Sequence, residues 1–482
     1  MATKTNDKAV AGKRRVIIDN DGCDVFLCEG SSYEQFTALR FAGLAGTGAT
    51  TVFYTPQSVG LNRFTHNTRV GTVITDGETV FARNIAPALI ARGTDCFEYA
   101  IRFCRAHELE IFFGMRMNDT HDAGRHYNLD HNALKREHPE CLLGTKENRP
   151  RHGAWTALNY LCAPVRDMAF RLLEEACRNY DLDGLHLDFF RHPVFFPNPA
   201  GGGHASAAET AAMTGLMRDI RAMARHEGEK RGRPILLSTR VPDSVPYALF
   251  LGLDLQTWLS EGLVDLLCTS SYLQLNGWEY SAGLGHTYGV PVYPSLDETR
   301  LRDETANRLR TEAPGMRARC ANAFAAGCDG VLLFNYIFDA AKDTPERYRL
   351  IGELGDDSNF PPGPKRYFAS VRGVGSVAGG APDHLPHQQI PTLNPGAPIE
   401  ANPAANIPIF VGAHNGGPAQ ARLWLEGAAE FELLLDGKSI GRAHGPEAAL
   451  PLQGNLAGRH VLTVRAQRPV KVLDAAIFVD EA

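Results

Sequence analysis

Eight short apolar runs recur between Arg14 and Tyr336, each closed by polar residues, with helical spacing in most of the segments between them. They are 14–22, 49–56, 109–116, 183–188, 234–240, 264–272, 290–295 and 329–336. A strand buried on both faces reads as a nearly continuous apolar run. Strands alternating with helices build a parallel sheet. The pattern therefore predicts an α/β fold, a (β/α)8 TIM barrel. An open doubly wound sheet is the alternative. It is disfavoured because no glycine-rich phosphate loop follows the first run. Polar clusters also follow nearly every run, where an open sheet would gather them at one switch point.

A barrel brings its strand ends to one mouth, and catalytic groups sit there. The fourth run is the most informative. Asp183-Gly184 is a turn, Leu185-His186-Leu187 is a buried strand, and Asp188, Arg191 and His192 follow. A carboxylate in such surroundings must be paired. The structural reading of Asp188 is a cap for the following segment or a partner for Arg191. The other strand ends offer Asp19 and Asp21, then Arg116, Asn118, Asp119, His121 and Asp122. Later ones offer Arg240 and Asp243, Tyr272 and Gln274, Asp297 and Glu298, and Asn335.

Carboxylates interleaved with amides, arginines, histidines and aromatics (Trp155, Tyr160, Phe189, Tyr272, Trp278) suit a polyhydroxylated ligand, an oligo- or polysaccharide. Cleaving a glycosidic bond needs two carboxyl groups, one to protonate the leaving oxygen and one as nucleophile or base. Asp188 is the first candidate and Glu298 the second, with Asp297 and Asp243 competing. Acidic residues also favour helix N-termini, so Asp297-Glu298 has a capping reading too. The substrate-binding candidates are Arg116, Asn118, Asp119, His121, Trp155, His186, Arg191, His192, Arg240, Asp243, Tyr272, Asp297 and Asn335. The long aperiodic stretch from Gly124 to Ala157 predicts a loop over the mouth, with Arg125, His126, Trp155 and Tyr160 lining it.

Asn179-Tyr180-Asp181-Leu182-Asp183-Gly184-Leu185-His186-Leu187-Asp188 resembles the strand-4 motif "YDVDGIHLD" of the glycoside-hydrolase-like family 10 proteins. Pro164-Val165-Arg166-Asp167 is similar to that family's "PEVRDY" helix start. The resemblance covers about thirty residues. It implies a (β/α)8 barrel and a carbohydrate-active enzyme, with Asp188 as the strand-4 acid and His186 beside it. Phe189 stands where the family has a second acid. The chitinase-type DGxDxDxE pattern is also departed from, since His186 and Phe190 replace its second Asp and its Glu. Phe189 motivates a rival reading, a non-catalytic carbohydrate-binding barrel. A metal-dependent hydrolase or lyase is a third. His121, His126, His131, Asp119 and Asp122 match no HExxH-type spacing, so neither a metal nor another cofactor is expected.

The chain has 482 residues, which fits a barrel plus an accessory domain. The expected boundaries are 10–350 for the barrel, 351–405 for a Pro/Gly-rich linker and 406–482 for a C-terminal all-β sandwich. Alternating runs and the hairpin signal Asp436-Gly437 carry the last of these. A net charge of −6 implies no basic field for nucleic acid. No apolar run approaches the ~20 residues of a membrane span. The polar N-terminus and ten scattered cysteines without a CxxC pair predict a cytoplasmic protein with reduced thiols, or an exported one whose signal has been removed. Oligomeric state is not legible in the sequence.

Overall fold

A computed structural model describes residues 14–77, 81–124, 132–270, 274–297, 301–337, 345–356, 361–371, 390–427 and 429–480. All eight predicted strands form. They are β1 (Val16–Asp21), β2 (Ala49–Thr55), β3 (Glu110–Arg116), β4 (Gly184–Asp188), β5 (Leu236–Val241), β6 (Leu266–Thr269), β7 (Val292–Pro294) and β8 (Val331–Phe334). All pair in parallel in the order β8-β1-β2-β3-β4-β5-β6-β7. A parallel bridge from Ser295 to Leu332 closes the ring, with the Leu296 N–H donating to the Leu332 carbonyl at 2.8 Å. The chain is thus a closed barrel followed by an all-β sandwich.

Side-chain alternation sets what faces inward. Ile17, Phe53, Phe112, Leu236, Leu266, Cys268, Tyr293 and Leu332 fill the barrel interior. At its N-terminal end Arg14 pairs with Glu110 at 2.6 Å. In β4, Leu185 and Leu187 join the core under the helices, while His186 stacks on Phe53 at 4.3 Å inside. Gly184 is required by close approach: a Cβ there would lie 2.2 Å from the Phe112 ring. Asp183 just before it braces the strand, accepting from the Ile111 N–H at 2.8 Å and from Arg105 at 2.7 Å. The helix Ala163–Asn179 (α1) feeds β4, with Pro164 in its first turn and Val165, Ala169, Leu172, Leu173 and Ala176 buried along one face. Among the described residues, no helix is long and apolar enough to cross a membrane.

The sandwich packs two antiparallel sheets over a core of Ile407, Leu423, Leu433, Leu462, Val464 and Ile477. The Asp436-Gly437 turn forms as read, with φ of 49° and 78°, the two left-handed residues that a tight hairpin needs. Two strands lie within the stretch expected as linker, Lys365–Phe368 (β9) and Ile399–Ala401 (β10). Both pair with the last strand, Val470–Val479 (β11). Lys365 and Tyr367 are buried, so this segment alternates like a strand even beside Pro361-Pro362-Gly363-Pro364. The helices Glu304–Thr311 (α2) and Ala313–Ala325 (α3) sit under the sandwich. Arg310 donates to both carboxylate oxygens of Asp474 at 2.8 Å, and Asn322 holds the Gly412 N–H at 2.8 Å.

Candidate active site

The C-terminal mouth of the barrel is floored by charge. Arg240, fully buried at the end of β5, is the centre. Its Nη2 donates to Asp188 Oδ2 at 2.5 Å and its Nε to Asp188 Oδ1 at 3.2 Å. Its Nη1 lies 3.5 Å from Asp19 and 3.8 Å from Asp297. Three carboxylates from β1, β4 and the end of β7 thus surround one guanidinium.

Those three are not equivalent. Asp188 Oδ1 also accepts from the N–H groups of Phe190 and Arg191, at 2.8 and 2.9 Å. Burial alone would raise its pKa, but Arg240 and these bonds win and hold it below the usual carboxylate range. Asp188 is therefore ionised and fixed. Its partner is Arg240, and Arg191 gives it a backbone N–H. Asp19 is the opposite case. Its Oδ1 is buried without a hydrogen bond. Burial raises its pKa well above the usual range; Arg240 opposes this, while Asp188, Asp21 and Asp297 add to it. Asp19 is thus pushed toward its protonated form beside an ionised neighbour. His186 Nε2 is 3.7 Å from Asp19, and its Nδ1 is 3.0 Å from Ser238 Oγ. Burial, reinforced by Arg240, pulls this imidazole down to about 3, so it is neutral.

A second group stands beside this floor. Arg116 bridges Asp21 at 2.6 Å and Asp119 at 2.7 Å. Asn335, at φ 46°, donates to Asp21 Oδ2 at 2.8 Å. Burial would raise the pKa of Asp21, but Arg116 and Arg191 drive it far down. Asp119 accepts from His121 Nδ1 at 2.9 Å, and Arg191 Nη2 lies 3.2 Å from His121 Nε2. The Arg191 N–H can only donate, so His121 carries its proton on Nδ1 and accepts at Nε2. His192 stands edge-on to His121 at 4.9 Å.

Asp119, His121 and His192 each place one possible ligand atom within 4.8 Å of the others. Sequence spacing did not show this trio. Arg116 and Arg191 press two guanidinium charges against it, and the His121 lone pair is already used. A cation there would have to displace an arginine, so the donor set does not suit one.

Several expected residues serve the framework instead. Asn118 bonds the carbonyls of Leu158 and Val194 at 3.2 and 2.7 Å. Asp243 accepts from the N–H groups of Leu275 and Asn276 at 2.8 and 2.9 Å, fixing a loop. Trp155 is buried, with Lys146 Nζ 5.8 Å from its ring. Tyr160 is fully buried and donates to the Met117 carbonyl, so it is a strut and not an open stacking face. Phe189 packs on Trp258 at 5.2 Å and Phe195 at 5.7 Å, on the helix side of the barrel wall. Its side chain points away from the Arg240 cluster. Glu298, Tyr272, Arg125, His126 and His131 lie outside the described residues.

No family model matches the sequence, and no curated protein matches it. Solved structures similar to the chain include the alpha-L-fucosidase isoenzyme 2 from Paenibacillus thiaminolyticus, at 13% identity and a TM-score of 0.46 over 71% of this chain and 49% of that one. The PgaB (BpsB) glycoside hydrolase domain from Bordetella bronchiseptica gives 10% and 0.45 over 72% of this chain and 100% of that one. The GH36 alpha-galactosidase AgaB from Geobacillus stearothermophilus gives 12% and 0.42 over 95% and 55%. The chain spans about half the length of the fucosidase and the galactosidase. At such identities the likeness adds nothing to the barrel described above.

Proposed function

We propose that the barrel hydrolyses glycosidic bonds at this mouth, with Asp188 as the ionised carboxylate. One observation carries the reading: around Arg240, two neighbouring carboxyl groups are pushed in opposite directions, Asp188 below the usual carboxylate range and Asp19 well above it. Paired carboxyls with separated pKa values are what acid-assisted glycoside cleavage requires. Asp188 acts as nucleophile or as the charge facing an oxocarbenium-like transition state. Glu298 is the proton donor, following Asp297 at the end of β7. Asp19 is the second donor reading, favoured by its unbonded Oδ1 and its raised pKa.

The test is a screen of aryl glycosides and oligosaccharides with the wild type, Asp188→Asn, Glu298→Gln and Asp19→Asn. Glu298→Gln is expected to abolish the alkaline limb of the pH–rate profile and to spare aryl substrates with good leaving groups. If Asp19→Asn does this and Glu298→Gln does not, Asp19 is the donor. Binding of oligosaccharides without turnover would leave the non-catalytic barrel standing.

A further inference from the structure

The barrel and the sandwich meet across a cleft with a cavity volume of about 70 Å³, walled by Trp278, Phe368 and Phe410. Arg310, Arg319, Arg366 and Arg459 line it against a single lining carboxylate, Glu279. Three of these arginines are matched: Arg310 by Asp474, Arg366 by Glu312 at 2.9 Å, and Arg459 by Glu279. Arg319 is not. Its Nη1 donates to the main-chain oxygen of Asp297 at 2.8 Å and touches Met316 Sδ at 3.6 Å. Its Nε is buried with no hydrogen-bond partner. No carboxylate of the described residues makes an ion pair with it. Burial pulls its pKa down to about 10; the field of Asp297 opposes this and Arg310 adds to it. The guanidinium therefore stays charged at neutral pH.

A half-buried cation whose Nε–H is shut off from water without a partner is unfavourable unless something meets its charge. The geometry points to a small oxyanion: we propose that this cleft binds a carboxylate, sulfate or phosphate group, with Arg319 as its counter-charge. The planar fork of arginine matches two oxygens of such a group. The aromatic walls exclude water around the pair and strengthen it. The site adjoins the Arg240 cluster through the Arg319 bond to the Asp297 main chain, but it opens toward the sandwich and does not rest on the glycosidase reading. The anion is either a free ion or an acidic substituent on a sugar, and the two are separable.

The experiment titrates the full-length protein, at constant ionic strength, with sodium sulfate, sodium phosphate, glucuronate and, as a neutral control, glucose. Tryptophan emission is followed, since Trp278 is in the wall, together with calorimetry. Saturable binding of at least one oxyanion is expected, with Kd below about 10 mM, and none of glucose. Tighter binding of glucuronate than of sulfate or phosphate assigns a sugar acid, and the reverse assigns a free ion. Arg319→Gln should weaken binding about tenfold or more. Glu279→Gln should tighten it severalfold, because it removes the lining carboxylate and frees Arg459. The Glu279 side chain is 41% exposed, so this variant folds even where Arg319→Gln does not. Arg218→Gln, in an exposed pair with Glu261, should change nothing. Absence of saturation, equal binding by Arg319→Gln, or weaker binding by Glu279→Gln overturns the proposal.

Discussion

Two buried arginines meet opposite arrangements of charge. Arg310, at the junction, faces one carboxylate in a two-pronged pair at 2.8 Å, with its Nε on the Ser370 carbonyl at 2.9 Å and its face over Phe368 at 4.0 Å. Charge and donors are both accounted for. Arg240, at the mouth, faces three carboxylates and cannot match them all. One is held ionised against it and one is pushed well above the usual carboxylate range. Balanced pairs of the first kind hold parts together. Unbalanced clusters of the second kind cost stability and persist where chemistry needs separated pKa values.

The largest expected effects set these two apart. Asp188→Asn keeps the shape and both backbone hydrogen bonds at Oδ1 while removing the charge. Turnover should fall by about 10³-fold or more with the far-ultraviolet spectrum unchanged. Near-wild-type turnover would make Asp188–Arg240 another framework pair and erase the contrast. Arg310→Met should do the reverse. It leaves Asp474 buried without its partner and costs about 3–5 kcal/mol, read as a lower denaturation midpoint, with kcat per folded molecule unchanged. The double variant Arg310→Met/Asp474→Leu should recover most of that loss. If Arg310→Met instead abolishes turnover in folded protein, the junction belongs to the active machinery.

A smaller effect tests the protonated member. A carboxyl whose folded pKa is raised gains its stability at low pH and loses it as pH rises above the unfolded value of about 3.9. Asp19→Asn mimics the neutral form at every pH. Its stability relative to wild type should therefore grow as pH rises from 4 to 8. A flat difference across that range would mean that Asp19 is not held protonated.

How much of this was legible follows from distance along the chain. The eight strands were legible because burial on both faces leaves a local mark, and the Asp436-Gly437 turn because its backbone demands particular residues. Asp188 was legible as the acid closing a buried strand. Its state was not, since that depends on Arg240, 52 residues away. Asp19 stood out only as a polar strand end; its protonation comes from carboxylates on other strands. The Arg310–Asp474 pair spans 164 residues, and nothing near either residue announces it. β9 was hidden by its neighbours: four residues of alternation beside Pro361-Pro362-Gly363-Pro364 read as linker until the last strand supplies the edge they pair with. Tyr160 was misread for the converse reason, because aromatics that stack on ligands and aromatics that brace loops look alike in sequence.

The smallest effect concerns histidines. His186 sits in the mouth within reach of Asp19, whereas His66 sits in an aromatic cage of Phe64, Phe113 and Tyr180 at ring distances of 4.9, 5.2 and 5.8 Å. The His66 Nδ1 is buried without a hydrogen bond. Burial pulls its pKa down to about 4, against the raising influence of Asp95 and Glu175. The folded protein then binds fewer protons here than the unfolded chain between about pH 6.5 and pH 4. The stability that neutral His66 contributes is full above about 6.5 and is lost as pH falls towards 4. His66→Phe suits the cage and removes the titration. Denaturant midpoints at pH 7.5 and pH 4.5 should therefore draw closer in the variant, by on the order of 2 kcal/mol relative to wild type. His66→Phe should leave the pH–rate profile alone, because the cage is remote from Arg240's carboxylates. A shifted profile would show that charge in the outer core reaches the mouth. The two buried sets would then be one titrating system, and the division between framework and mouth would fail.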